Sequence, residues 1–241
     1  ETSSNKNDEF ATCPITKFLI LSIMTSQQFS WIFRATNATA IRQGDRIFSY
    51  QELTGDSNAL ADRLSSNFKE GERVIFMVRP GFDYVKVQWA IWKAGGIAVP
   101  LCLDHPLPAL QYVIDDVTAS VIICSEEFSA MAAGLHLHGN ARTIILDEKP
   151  TILTTAKQAV ERTLHPAALI LHTSGTTGKP KGVVITHQNL QAQMAILEQA
   201  WGWTSDDEIL CVLPLHHIHG IVNVVGCALW AGAACRFLEG S

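Results

Sequence analysis

The spacing of apolar positions changes repeatedly along the chain, and each change falls at a glycine, a proline or a polar cluster. Leu53, Leu60, Leu64 and Phe68 recur at helical intervals behind Ser49 and Glu52, an S-x-x-E capping box, and Gly71 is the expected stop. A short apolar run from Arg73 to Val78 then reads as a strand, Tyr84 to Ala94 as a helix, and Gly95-Gly96 leads into a second strand at Ile97 to Leu101. The pattern repeats with a helix after Pro106, a strand Ser120 to Cys124, a short helix near Ser129 and a strand Thr143 to Leu146. Farther on come a strand Ala167 to His172, a polar loop and a strand Gly182 to Ile185. Thr186 caps a helix whose core face carries Leu190, Met194, Leu197 and Trp201. A strand Glu208 to Leu215, an apolar stretch Ile221 to Trp230 and a last strand at Ala234 to Leu238 complete the series.

Strands alternating with helices define an α/β protein: β-α-β units forming a mostly parallel sheet flanked by helices. No internal repeat, low-complexity tract or interdomain linker interrupts it. Residues 1–35 read as an N-terminal extension, with Met24 a candidate start and the first 23 residues lying outside the packed domain; residues 36–241 read as one domain. The ending at Ser241 follows a strand directly and is expected to leave a sheet edge unpaired.

Composition narrows the classes. With 241 residues, 47% hydrophobic and 17% charged, the chain has the means to bury a sizeable core. Its net charge of -5 and the scatter of its 18 Lys and Arg argue against a nucleic-acid partner. Six cysteines (Cys13, Cys102, Cys124, Cys211, Cys227, Cys235) form no C-x-x-C pair and mostly sit in apolar runs, so they read as reduced core thiols of an intracellular protein. His136 and His138 form an H-x-H pair with no further ligand nearby and read as surface. No stretch reaches the roughly 18 consecutive apolar residues of a membrane-spanning helix. The first 30 residues lack the arginine-rich, acid-poor character of a transit peptide, which leaves the compartment open between cytoplasm and mitochondrion.

The chemistry concentrates between two strands: Thr173, Ser174, Gly175, Thr176, Thr177, Gly178, Lys179, Pro180, Lys181, Gly182. Glycines let backbone N–H groups approach an anion, hydroxyls add donors, and lysines add charge, which together describe a phosphate-gripping loop. A solvated turn would explain the glycines and the proline, but not four hydroxyls with two lysines. It is neither a Walker loop, which needs four residues between its glycines and a Ser or Thr after the lysine, nor G-x-G-x-x-G. A P-loop NTPase is therefore disfavoured.

The longer segment L-I-L-H-T-S-G-T-T-G-K-P-K-G-V-V-I-T-H-Q-N, Leu169 to Asn189, resembles the signature of the adenylate-forming (AMP-dependent synthetase and ligase) superfamily. Three further stretches agree in order: F-S-Y-Q-E-L, W-K-A-G-G-I-A-V-P-L at Trp92 to Leu101, and L-P-L-H-H-I-H-G at Leu213 to Gly220. The last of these, followed by Ile221, Val222 and Asn223, is most similar to the malonyl-CoA synthetases of the acyl-CoA synthetase group.

The resemblance implies activation of a small carboxylic acid, with malonate the favoured candidate, as an acyl-adenylate from Mg2+-bound ATP, followed by transfer to coenzyme A. It places Thr173 to Gly178 around the β- and γ-phosphates, Lys181 as principal cation, Lys179 as an auxiliary, and His217 beside the reacting carboxylate. His216 and His219 read equally as pocket lining or as strand-end residues. Residues 36–241 would be the first part of the large N-terminal domain. The Y-G-x-T-E region, the T-G-D aspartate and the mobile C-terminal domain of the superfamily have no counterpart in these 241 residues, and the Mg2+ ligand of the family is among what is missing. Two readings follow: part of a complete acid–thiol ligase, or a non-catalytic remnant kept as a binding module. On either, residues 1–241 alone are expected neither to form acyl-adenylate nor to bind ATP tightly.

Overall fold

The computed structural model describes residues 30–65, 68–146, 164–173 and 179–238. Two sheets organise them. The larger contains β3 (Arg73–Met77), β4 (Ile97–Pro100), β5 (Val121–Cys124), β6 (Arg142–Ile145), β7 (Ala167–Thr173) and β8 (Lys181–Thr186), in the order β6-β5-β3-β4-β7-β8. Its first five strands are parallel, and β8 folds back antiparallel on β7. The smaller sheet is β2-β1-β10-β9, built from β1 (Thr39–Gln43), β2 (Arg46–Ser49), β9 (Glu208–Cys211) and β10 (Ala234–Phe237). Here β10 runs parallel to both β1 and β9.

The mostly parallel α/β expectation holds, with one extension: the described residues make two sheets, and the hairpin β1–β2 was not foreseen. The expectation of an unpaired edge at the last strand is corrected, because β10 is interior to its sheet, flanked by β1 and β9. Central strands β4 and β5 are buried at every position, which is why their apolar runs are continuous rather than alternating, whereas β6 and β8 keep exposed positions.

Six helices pack on this frame: α1 (Tyr50–Ser65), α2 (Phe82–Lys93), α3 (Leu107–Val117), α4 (Ser129–Ala133), α5 (His187–Trp201) and α6 (Cys227–Ala231). The capping box of α1 forms as expected: the Glu52 carboxylate accepts from the Ser49 N–H, and the Glu52 N–H donates to Ser49 Oγ at 3.1 Å. Phe68 is not part of that helix; it lies beyond Ser65, with the Arg142 guanidinium over its ring. Thr186 caps α5 reciprocally with Asn189. On the α5 face, Leu190 and Met194 are buried, whereas Trp201 is exposed.

α2 is buried almost all round because it ties both sheets together. Phe82 stacks on Phe48 of β2 and its N–H donates to Gln43 Oε1 of β1, while the Trp92 indole donates to the Ala168 carbonyl of β7 at 2.7 Å. Lys93 is buried with its ammonium on Ser57 Oγ and against the rings of Phe33 and Trp89. Trp31 and Ile32, inside the stretch read above as an extension, are buried, and Trp31 meets Trp89 and Trp92 edge-on. Residues 1–29, including Cys13 and Met24, lie outside the described residues. Cys124, Cys211, Cys227 and Cys235 are buried free thiols, and Cys102 is half-buried.

His187, the first residue of α5, is buried with its ring edge-on to Trp92. Burial first, and the neighbouring His165 second, lower its pKa to about 4. A histidine depressed when folded binds fewer protons than when unfolded, so stability is full above its ordinary value near 6.5 and falls as pH drops from there towards 4. Unfolding by urea at pH 7 and pH 5 should therefore differ by about 2 kcal/mol from this group, and His187→Gln should remove that difference.

Candidate functional site

In open parallel sheets ligands gather beyond the carboxyl ends of the strands. Two adjoining cavities sit there. One, of about 590 Å³, lies between the end of β7, β8 and the Leu213–Gly220 segment; the other, of about 340 Å³, lies between the end of β4, α3 and the β7–β8 pair. His172, Thr173, His216 and His217 line both.

Of the residues expected to grip phosphate, Thr173 ends β7 and Lys181 opens β8, and they are direct cross-strand partners. Both are exposed, as is Lys179. Ser174, Gly175, Thr176, Thr177 and Gly178 lie outside the described residues. The hairpin thus sets Lys181 opposite Thr173, and Thr173 lines both cavities.

The histidine segment is held by its backbone. Tyr84, fully buried on α2, donates its hydroxyl to the Leu215 carbonyl at 2.8 Å, and burial drives its pKa well up, so it stays a donor. The His217 N–H donates to the Pro214 carbonyl at 3.3 Å, and the His217 carbonyl accepts from Gly220 and Ile221 at 3.1 Å each. That turn starts a π-helical stretch, His219–Gly226, which runs into α6. Gly220 has no room for a side chain, since a Cβ there would lie 2.4 Å from the Pro214 oxygen.

His217 is exposed and its ring centroid is 4.2 Å from that of His216, which in turn is 6.5 Å from His105. Burial first, then repulsion from His217 and His105, pushes the His216 pKa down, outweighing Asp104. His216 is therefore a neutral, partly buried member of the lining at pH 7. His219 is exposed and lines the larger cavity. His136 and His138 stay remote from it on the surface, where His138 pairs with Asp115.

The sequence reading did not single out His172, His105, Tyr112 or Asp116. His172 Nε2 is 2.9 Å from Asp116 Oδ2, and the Tyr112 hydroxyl donates to the Pro180 carbonyl at 2.9 Å. The available signal was the i, i+4 spacing of Tyr112 and Asp116 in α3 and the histidine directly before Thr173.

Among the described residues, no group of three or more His, Cys, Asp or Glu could hold a metal ion, and no carboxylate lines either cavity. No described helix is long and apolar enough to cross a membrane.

A parallel α/β frame thus carries a hydroxyl, Thr173, and imidazoles, His172, His216 and His217, on cavities at its carboxyl edge. Residues 30–241 match the family model of AMP-binding enzymes, and the chain belongs to that family. It is 39% identical over 221 residues to the human mitochondrial malonate–CoA ligase, covering 81% of this chain and 37% of that protein. It is 30% identical over 238 residues to the malonate–CoA ligase of Arabidopsis thaliana, covering 87% of this chain and 39% of that protein. Among solved structures, apo MatB from Rhodopseudomonas palustris superposes with a TM-score of 0.74 at 25% identity, covering 88% of this chain and 45% of MatB. The ATP-bound form of MatB gives 0.72 at 26%, with the same coverage. The chain thus spans less than half the length of these relatives.

Proposed function

We propose that the protein is an acid–thiol ligase that activates a small carboxylic acid, malonate above others, with Mg2+-bound ATP and transfers it to coenzyme A. The observation that carries the reading is that Thr173, the cross-strand partner of Lys181, lines the same cavity as His217.

In the first step a carboxylate oxygen attacks the α-phosphorus, the bond to the β-phosphate oxygen breaks, and pyrophosphate leaves. Such a step needs charge held in place more than covalent help. Lys181, with Lys179 auxiliary, supplies positive charge beside the β- and γ-phosphates, and Thr173 with Ser174, Gly175, Thr176, Thr177 and Gly178 supplies donors. His217 orients the acid's reacting carboxylate. Coenzyme A, when bound, supplies the thiol that displaces AMP from the acyl carbon.

Malonate is favoured because the curated relatives named above are malonate–CoA ligases, and because the imidazoles of His216, His217 and His219 suit a short, polar acid better than an alkyl chain. The fitting compartment is intracellular, and the human relative is named mitochondrial. Residues 1–241 in isolation are not expected to form acyl-adenylate. Coenzyme A thioesters formed by the native protein from malonate, acetate and octanoate, resolved by mass spectrometry, test the reading: malonyl-CoA should dominate, and octanoyl-CoA as main product would overturn the choice of acid.

A further inference from the structure

We infer that Tyr112 and Asp116, on one face of α3, are positioning residues that hold both stems of the hairpin carrying Thr173 and Lys181. This rests on the ligase reading for its consequence, though not for its geometry.

Residues four apart on a helix project side by side. Tyr112 uses that placement to bond the carbonyl of Pro180, the residue before Lys181, at 2.9 Å. Asp116 uses it to bond His172, the residue before Thr173, at 2.9 Å. The two strands are joined to each other there, with His172 opposite Gly182 and Thr173 opposite Lys181. One helical face therefore grips the departing strand and the returning strand within one residue of Thr173, which lines the cavities, and of its partner Lys181.

The neighbouring glycine belongs to the same device. A Cβ on Gly182 would lie 3.1 Å from Asp116 Oδ2, 3.3 Å from His172 Cε1 and 3.0 Å from Ile170 Cγ2. A glycine in a strand marks such a close approach, and here it admits the carboxylate to the imidazole. The His172 side chain is only 10% exposed, so water competes weakly for that bond, while Asp116 keeps one side towards solvent. Its neighbour Asp115 points elsewhere, pairing with His138, so the contribution of a charge on this turn of helix is separable from that of the grip.

A lysine side chain is long and mobile, so its charge is useful at a phosphate only if its backbone is fixed; small displacements of a catalytic group cost disproportionately in rate. Asp116 supplies that fixation from outside both cavities, and Tyr112 from the wall of the smaller one. They would act first on the nucleotide side of the reaction, and reach the acid pocket built by Leu213–Gly220 only through His172, which lines both cavities.

The test uses the native full-length protein and the variants Tyr112→Phe, Asp116→Ala, Asp116→Asn and, as control, Asp115→Ala. Two readouts are needed: amide hydrogen exchange across β7 and β8 in the free protein, and the KM values for ATP and for the acid in pyrophosphate exchange. Tyr112→Phe and Asp116→Ala should speed amide exchange near Thr173 and Lys181. They should raise KM for ATP about five- to twentyfold, with KM for the acid within about twofold. Asp116→Asn, which keeps an acceptor oxygen, should recover most of the loss, and Asp115→Ala should change neither readout. Unchanged amide protection, or ATP and acid constants that move together, would overturn the inference. A wild-type protein without any exchange activity would instead count against the ligase reading, and the amide arm would still decide whether α3 grips the hairpin.

Discussion

Lys181→Ala in the native protein is expected to slow acyl-adenylate formation by about ten- to a hundredfold, the worth of one charge-assisted hydrogen bond made mainly in the transition state. The side chain is exposed at the first position of β8 and has no carboxylate partner among the described residues, so its charge is free to meet a polyanion. For the same reason its removal should leave thermal stability almost unchanged, as exposed positions away from packing generally do. Lys179→Ala, two residues upstream and equally exposed, should lose much less. Single-turnover adenylation checks both, and a Lys181→Ala rate within about twofold of wild type would remove that lysine from the mechanism.

The second large effect concerns a residue with no functional group. Gly220→Ala should reduce adenylation by about a hundredfold, because the turn presenting His217 must move to admit a methyl group. The new Cβ would meet the Pro214 oxygen at 2.4 Å and the Leu213 oxygen at 3.1 Å, both backbone atoms that have no rotamer to change. The His217 carbonyl, which accepts from Gly220 and Ile221, would shift with them. The overpacking should also lower stability by about 1–3 kcal/mol. Activity measured at a temperature where the variant is fully folded by circular dichroism separates the two effects. A folded Gly220→Ala protein with near wild-type activity would mean that the position of His217 is not critical.

Much of this was legible in the sequence, and the exceptions have physical causes. The helices at Tyr50 and His187 announced themselves by caps, and the parallel strands by unbroken apolar runs. The second sheet was not readable, because its hairpin strands are short and mix polar with apolar residues: T-A-I-R-Q and R-I-F-S look like turn-rich coil around Gly44-Asp45. They become strands only because β10, almost two hundred residues later, pairs with β1. The antiparallel sense of β8 was hidden for a related reason, since strand direction depends on whether a connection crosses over, and Gly182 to Ile185 is equally apolar either way. Thr173, Lys181 and His217 were legible as chemistry. Tyr112 and Asp116 were not, because their i, i+4 spacing does not say what they bond, and their partners Pro180 and His172 lie 68 and 56 residues away.

The most direct measurement is malonate-dependent exchange of labelled pyrophosphate into ATP by the native protein. The account requires exchange that depends on both malonate and Mg2+, with acetate and octanoate weaker. Exchange with none of these acids, from a folded protein, would contradict it.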